Sequence, residues 1–446
     1  MDILINVVSF LVALGILVFV HEYGHYWVAR KNGVEVLRFA IGFGKPIYSW
    51  VGKNGTEYVI GLIPLGGYVR MLDGRVDDVP AHKKSVSFDQ KHVLRRISIV
   101  AAGPLANFIF AAVLIFIMLL IGVPAVKPVI GDIKENSAAA EAGLLKNDLV
   151  IKIDQDSVND WSSVQYKLID QIGNPSIPMS VIRNDKELSI SVKTDDWKVE
   201  EGELFSSLGF TPFSPEPSLT LNYIDEAGPA YAAGFLVGDV LVSFNKSELK
   251  SWSQAVEVIT NSADKVIEVK VLRKGNLQTL TVTPLNRPTL EGFSSGYLGV
   301  APKYEEWPKD YVFTNQYAIL PAVSQSFVKT WDLIKLTFNM IGKFVTGAIG
   351  LENLSGPIAI AQGAGISAQS GFVYFISFMA LISVNLGVVN LLPLPVLDGG
   401  HLMYFIIELI RGKPVSERVQ EMGFRFGAIA LFMIMGIALF NDFGRL

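Results

Sequence analysis

The first twenty residues contain a run that is long and apolar enough to cross most of a membrane. Between Ile3 and Val20 the only polar side chains are Asn6 and Ser9. An α-helix rises 1.5 Å per residue, so this run spans roughly 27 Å of the hydrocarbon core. A signal peptide carries basic residues before its apolar run, whereas this run is preceded by the acidic Asp2, and no A-x-A cleavage site follows it. The segment is therefore predicted to be a transmembrane helix.

An HExxH motif, His21-Glu22-Tyr23-Gly24-His25, follows this run directly. Residues four apart share one face of a helix, so both imidazoles can reach a single metal ion. Glu22 then lies beside the metal, where a general base is needed to activate water. Ionisable side chains in a membrane segment are costly and indicate a functional site. The alternative is a chance HExxH pattern on an ordinary soluble helix.

Composition favours a membrane protein and excludes several other classes. Half of the 446 residues are hydrophobic, the mean hydropathy is +0.39, and only 18% are charged, below the usual quarter. The net charge of −4 without a basic block excludes a nucleic-acid partner. Because there is no cysteine, disulfides, thiolate zinc ligands and cysteine nucleophiles are also excluded.

The charges that flank the apolar runs predict how the chain crosses the bilayer. Lys31, Arg95 and Arg96 adjoin the ends of the first two runs, so the loop between them is predicted to be cytoplasmic. Both termini and a large region between the second and third runs then lie outside, with HExxH near the cytoplasmic end of the first span. The four runs are Ile3 to about Arg30, Ile97–Gly122, Phe372–Leu392 and Phe424–Phe440.

The external region contains an internal repeat. Ala142–Asp148 returns ninety-one residues later as Ala233–Asp239, which suits two tandem small domains. The repeated phrase resembles bacterial PDZ domains, whose L-G-[FV] turn opens a groove that binds peptide C-termini as an added strand. A duplicated β-domain that binds nothing, or acts only as steric bulk, is the alternative. Further matches are Trp161-Ser162 with Trp252-Ser253, Val181-Ile182-Arg183 with Val271-Leu272-Arg273, and Leu208-Gly209-Phe210 with Leu298-Gly299-Val300.

A catalytic zinc site needs a third protein ligand. Asp398 is the stronger candidate, because the topology places it at the same depth as the HExxH motif. Pro393 and Pro395 break the helix before it, and irregular backbone at membrane depth is tolerated where it lines a site. His401 is the rival ligand, or else a histidine that supports the site without binding metal.

The two motifs together resemble the site-2 protease family of intramembrane zinc metalloproteases, and the resemblance covers the whole chain. It rests on HExxH in a first span and on Asn390–Gly400 (NLLPLPVLDGG) at the end of a third. It implies that His21, His25 and Asp398 bind one Zn²⁺ ion and that Glu22 is catalytic. It also implies that Asn390 contacts the substrate or transition state. Gly103–Asn107 (GPLAN) matches another family signature and is expected to pack closely beside the site.

The expected activity is hydrolysis of a peptide bond within or near the membrane span of single-span membrane proteins. The resemblance implies anti-sigma factors already trimmed outside, and remnant signal peptides, as substrates. It also implies the bacterial cytoplasmic (inner) membrane, with both termini and the PDZ-like domains on the periplasmic side. A membrane-anchored PDZ scaffold with a vestigial metal site is the alternative function, and a metal transporter is weaker still.

Two other segments have patterns of their own. Lys45–Val51 and Thr56–Leu62 read as a hairpin around an Asn-Gly turn, and Gly66-Gly67 would let it bend towards the membrane. Its edge is expected either to hold an unwound substrate by strand addition or to be merely solvated. Apolar residues at alternating spacings of four and three over Phe327–Val345 predict an amphipathic helix, either at the outer interface or packed against the PDZ-like pair.

The predicted fold is a polytopic α-helical membrane protein with four transmembrane helices, two tandem extracytoplasmic PDZ-like domains and a small cytoplasmic β-hairpin region. The predicted boundaries are transmembrane helix 1 (1–30), the cytoplasmic loop with the hairpin (31–96), transmembrane helix 2 (97–122), PDZ-like domain 1 (123–213), PDZ-like domain 2 (214–302), the amphipathic-helix region (303–371), transmembrane helix 3 (372–392), the LDG segment (393–423), and transmembrane helix 4 with the C-terminus (424–446).

Overall fold

The structure is a computed structural model that describes residues 2–195, 197, 204–288 and 294–445. Small parts of both predicted PDZ-like domains, and the two terminal residues, lie outside the described residues. The chain divides into two compact units. The first comprises Met1–Pro128, Ile133–Thr211 and Phe313–Leu446, and the second comprises Val129–Asp132 and Pro212–Val312.

The described part of the chain contains both α-helices and β-strands. The α-helices are α1 (Asp2–Lys31), α2 (Val93–Ile121), α3 (Ala138–Glu141), α4 (Trp161–Gln171), α5 (Pro229–Ala232), α6 (Trp252–Thr260), α7 (Ile319–Thr346), α8 (Pro357–Ser370), α9 (Phe372–Leu391), α10 (Asp398–Arg411) and α11 (Glu417–Gly444). The strands are β1 (Val36–Val51), β2 (Glu57–Met71), β3 (Val123–Val126), β4 (Ile130–Ile133), β5 (Leu149–Ile153), β6 (Asp156–Ser157), β7 (Ser176–Arg183), β8 (Lys186–Lys193), β9 (Phe210–Pro212), β10 (Pro217–Ile224), β11 (Val240–Phe244), β12 (Ser247–Glu248), β13 (Ile267–Arg273), β14 (Asn276–Val282), β15 (Leu285–Pro288), β16 (Ser294–Tyr297), β17 (Val300–Tyr304) and β18 (Val312–Asn315).

Four helices of the first unit, α1, α2, α9 and α11, are long and apolar enough to cross a membrane. They coincide with the four apolar runs of the sequence. The fourth is longer than predicted, because helix α11 continues past the apolar run at both ends. The proline-rich segment between α9 and α10 is irregular, as the two prolines predict.

Helices α1 and α2 cross at very close range. A Cβ atom on Gly24 of α1 would lie 2.8 Å from the Cβ of Ala106 on α2, so only glycine fits at the crossing. Helix α9 packs against α2, and α8 packs against α1. The carboxylate of Asp442, near the end of α11, accepts hydrogen bonds from the backbone N–H groups of Gly356, Ile358 and Ala359 at the start of α8.

A helix, α7, is present where the apolar pattern predicts one, and it contacts α2 and α9 as well as α4 of the first half of the repeat. Its inner face contacts α2 and α9, and Thr337 donates a 2.8 Å hydrogen bond to Asn385 of α9. Near its end, Lys343 donates to the backbone carbonyls of Ile169 and Asp170 at the C-terminus of α4. A cation at this position complements the negative end of the α4 dipole.

Strands β1 and β2 form an antiparallel hairpin that is longer than the predicted one. Several register shifts interrupt the pairing between Val36 and Tyr48. Because of these shifts, apolar and polar residues do not alternate regularly along this part of the sequence. The hydroxyl of Thr56 is buried and donates to the carbonyl of Val36. Many apolar side chains of the outer part of the hairpin, such as Trp50 and Val51, are exposed.

The two halves of the repeat have the same order of elements. In the first, α3, β5, β6, α4, β7 and β8 follow one another, and α5, β11, β12, α6, β13 and β14 correspond to them in the second. The Nε and Nη2 atoms of Arg183 each lie 2.7 Å from the buried carboxylate of Asp148, and Nη2 also donates to the carbonyl of Gly143.

Arg273 makes the equivalent contacts in the second half of the repeat. It donates to Asp239 at 2.8 Å from both nitrogens, and to the carbonyl of Gly234 at 2.7 Å. A buried carboxylate is stable when charged donors saturate it. We call this arrangement of arginine, aspartate and backbone carbonyl the Arg–Asp clamp, and it supports the repeat inferred from sequence.

Candidate metal centre

His21 and His25 lie one helical turn apart near the end of α1, and both side chains are buried. Their Nε2 atoms are 3.3 Å from each other. A helix brings residues i and i+4 onto one face, so this geometry follows directly from the HExxH spacing.

Asp398 joins the two histidines from a distant part of the chain. It is the first residue of α10, and its Oδ2 atom lies 3.2 Å from Nε2 of His21 and 3.3 Å from Nε2 of His25. Within the described residues these three form the group that can hold a metal ion. His401, the rival from the sequence, is exposed and lies outside the group, so the geometry favours Asp398.

The donor atoms fit a zinc ion. A tetrahedral zinc ion with bonds of about 2.0–2.1 Å separates its ligand atoms by roughly 3.3 Å, and the three distances agree with that value. The Oδ2 atom of Asp398 is buried and has no hydrogen-bond partner among the described residues. Such an atom is costly unless a cation or a proton donor meets it.

Helix α2 supports both imidazoles from behind. The Nδ1 atom of His25 donates to the carbonyl of Ile99 at 2.9 Å, and Nδ1 of His21 lies 3.2 Å from Nδ2 of Asn107. Metal-binding histidines commonly use their second nitrogen in this way, which fixes the ring. A Cβ on Gly103 would lie 2.6 Å from Cε1 of His25, so α2 can approach the rings only with glycine there.

Sequence reasoning missed two of these supporting residues. Ile99 contributes a backbone carbonyl, which has no signature in the sequence. Asn107 was expected only to pack closely beside the site, although an amide in the middle of an apolar span was a usable signal.

Glu22 lies beside the hairpin. A Cβ on Gly67 of β2 would lie 2.9 Å from Cγ of Glu22, and Gly66 has a φ of +129° that favours glycine. Asn390 is half-buried at the penultimate position of α9. In the part of the chain that the structure describes, the amide of Asn390 makes no hydrogen bond. Asn390 therefore lies near the start of the LDG segment but makes no hydrogen bond to the three candidate metal donors.

Comparison with known proteins identifies the family. The sequence model that describes peptidase family M50 matches residues 9–434 of this chain. The chain belongs to peptidase family M50. It is 46% identical over 450 residues to a putative zinc metalloprotease of Vibrio cholerae serotype O1, covering 100% of both chains. It is also 44% identical over 445 residues to the regulator of sigma-E protease RseP of Escherichia coli K12, covering 99% of each.

A third relative is the regulator of sigma E protease of Haemophilus influenzae, which is 43% identical over 442 residues and 98% of each chain. The resemblance to site-2 proteases is thus confirmed. This M50 peptidase is a zinc metalloprotease of the site-2 type with candidate membrane-spanning helices, and zinc is its cofactor.

Proposed function

We propose that this M50 peptidase hydrolyses peptide bonds within or near the membrane span of single-span membrane proteins. The observation that carries the proposal is the convergence of His21, His25 and Asp398 to within 3.3 Å of one another. Two of these donors lie on α1 and the third follows α9, and both helices are candidate membrane spans. A metal site between two such helices is suited to a substrate that is itself a membrane helix.

The roles proposed for the residues draw on the geometry of the three donors and on the site-2 resemblance. His21, His25 and Asp398 would hold the ion, which when bound supplies a Lewis acid that activates water and polarises a carbonyl. Glu22 takes the proton of the attacking water and delivers it to the leaving amine. Asn390, at the end of α9, would donate a hydrogen bond to the developing oxyanion, as the resemblance implies.

A helical substrate must unwind before attack, because its carbonyl groups are hydrogen-bonded. The hairpin offers a way to hold the unwound segment, since the backbone of β2 approaches Glu22 at Gly67. An extended segment that adds to a strand edge is held by backbone hydrogen bonds. The exposed side chains of Phe43, Leu62 and Ile63 would meet its apolar residues.

The substrates proposed are anti-sigma factors that have already been trimmed outside, and remnant signal peptides. This proposal draws on the relatives that are named regulators of sigma E and on the site-2 resemblance. The two halves of the repeat are proposed to be PDZ-like domains on the periplasmic side of the inner membrane. They would bind peptide C-termini or exclude bulky substrates, and the active site would lie near the cytoplasmic face.

The scaffold alternative gives no reason for two buried histidines and a half-buried aspartate that converge beside Glu22. Reconstitution of the full chain in liposomes, with a single-span model substrate, separates the two functions. We expect E22Q to keep one zinc ion and to lose at least about 100-fold in cleavage rate, the usual contribution of a general base. We expect D398A to lose zinc as well.

The matched control is His401→Ala, which changes an exposed residue outside the donor group. It should keep both zinc and cleavage. The proposed roles are wrong if E22Q cleaves at the rate of the wild type, or if D398A still binds one zinc ion per chain.

A further inference from the structure

Asn107 is a fully buried amide in the middle of α2. Its Nδ2 atom lies 3.2 Å from Nδ1 of His21. Its Oδ1 atom is buried and, among the described residues, has no hydrogen-bond partner. Leaving such an oxygen without a partner is energetically unfavourable, so an amide at this position needs a specific reason.

The chemistry of His21 supplies that reason. Its Nε2 atom is the one that converges with His25 and Asp398, so Nε2 must keep its lone pair free for a metal ion. A neutral imidazole then carries its proton on Nδ1. That proton needs an acceptor, and His25 shows the pattern, because its Nδ1 meets the carbonyl of Ile99 at 2.9 Å.

At His21 the group facing Nδ1 is the amide of Asn107. If Nδ2 of Asn107 points towards the ring, its N–H faces the N–H of His21 Nδ1, and no hydrogen bond can form between the two donors. A half turn about the last side-chain bond exchanges the two amide atoms, which are nearly equal in size. Oδ1 then accepts the Nδ1 proton, and Nδ2 takes the position that Oδ1 held.

The surrounding helices hold Asn107 in position for this role. Ser383 of α9, itself fully buried, donates a 2.8 Å hydrogen bond to the backbone carbonyl of Asn107. Gly103 lies one turn earlier on the same face of α2, where it admits both imidazole rings. A single face of α2 thus serves both histidines, one through a backbone carbonyl and the other through a side chain.

We propose that Asn107 is a positioning residue that accepts the Nδ1 proton of His21 through Oδ1. It holds the imidazole in the tautomer that binds zinc through Nε2. The inference rests on the proposed role of His21 as a ligand. Partners of this kind typically contribute 10- to 100-fold to metal affinity.

Three variants of the full chain, purified in detergent, test the proposal by zinc affinity in competition with a chelator. Asn107→Leu keeps the size of the side chain but removes the acceptor, and we expect zinc to bind about 10- to 100-fold more weakly. Asn107→Asp offers only acceptors, and we expect affinity within about threefold of wild type or tighter. The matched control, Asn385→Leu, alters a polar residue of α9 that bonds Thr337 and should leave zinc affinity unchanged.

The visible absorption of the Co²⁺-substituted protein provides a second readout, since it reports how the ligands are arranged. We expect Asn107→Leu to change the spectrum and Asn107→Asp to restore it. A merely structural role for Asn107 would make both variants equally harmful, and that result would overturn the proposal. If Asn107→Asp does not fold, equal zinc affinity in Asn107→Leu and Asn385→Leu would overturn it.

Failure of this inference can be distinguished from failure of the proposed function. His21→Ala should lose zinc if His21 is a ligand. Loss of zinc in His21→Ala together with wild-type affinity in Asn107→Leu would refute only the role of Asn107. Retention of zinc in His21→Ala would refute the ligand set itself, and with it both proposals.

Discussion

Substitution of Gly103 by alanine measures how closely α2 must approach the metal ligands. The new Cβ would lie 2.6 Å from Cε1 of His25 and 2.8 Å from Cε1 of His21, whereas ordinary contact begins at 3.4 Å. These two distances are about 0.8 Å and about 0.6 Å shorter than an ordinary contact, so both imidazole rings must move away from α2. Zinc–ligand distances tolerate only about 0.2 Å. We therefore expect G103A to bind zinc at least about tenfold more weakly and to cleave roughly 100-fold more slowly.

The control for G103A is Gly15→Ala, on the helix that carries both histidines. A Cβ on Gly15 meets nothing within 4 Å among the described residues. Alanine is also a better helix former than glycine, by about 1 kcal/mol, so neither variant should unfold because of its backbone. Zinc content after gel filtration, chelator competition and cleavage in liposomes are the assays. A G103A protein with wild-type zinc affinity and wild-type cleavage would refute the argument from contact distances.

Three further predictions follow from contacts elsewhere in the chain. Arg273→Met leaves the buried carboxylate of Asp239 without its charged partner, and should lower the free energy of unfolding by about 2 kcal/mol in thermal or denaturant unfolding of the full chain. Burial tends to raise the pKa of Asp239, but the hydrogen bonds from Arg273 outweigh it and hold the pKa below its usual value. As the pH falls, the carboxylate of Asp239 is therefore protonated in the unfolded state before it is protonated in the folded state, so the free energy of unfolding should decline below about pH 5. An equally steep decline in Arg273→Met would contradict this role of Arg273. Gly67→Ala brings a Cβ to 2.9 Å from Cγ of Glu22, so cleavage should slow while zinc content stays unchanged; loss of zinc in this variant would count against the proposed division of roles. Asp442→Ala leaves three backbone N–H groups at the start of α8 without their acceptor and should cost about 1–3 kcal/mol, and an unchanged unfolding midpoint would show that water replaces the carboxylate.

Two of the three candidate metal donors were predictable because they share one strong local signal. HExxH fixes two donors by helix geometry alone. Asp398 was predicted because the charges that flank the apolar runs indicated the same membrane depth for it as for His21 and His25. The support from α2 was not predictable, because a backbone carbonyl such as that of Ile99 has the same form at every residue. Which carbonyl faces a ring depends on how two helices cross.

The fold was predictable where periodicity was strong. The pattern over Phe327–Val345 correctly indicated a helix, but a period of 3.6 residues does not say what the apolar face packs against, and α7 packs on α2 and α9. The hairpin was underestimated in length, since register shifts between Val36 and Tyr48 disturb the alternation that marks a strand. Helix α11 extends beyond its apolar run because the charged and polar residues at both ends of that run continue the helix.

The Arg–Asp clamp is the feature that the two halves of the repeat share most closely. Both copies join the same nitrogens to the same oxygens and to the same carbonyl of the preceding loop. Agreement at this level of detail shows that both halves of the repeat hold a buried carboxylate in the same way. The halves differ in their surroundings: Phe205 meets Trp161 edge to face in the first, where Ser295 occupies the corresponding position in the second. The two halves therefore share a framework but not the aromatic contacts around it.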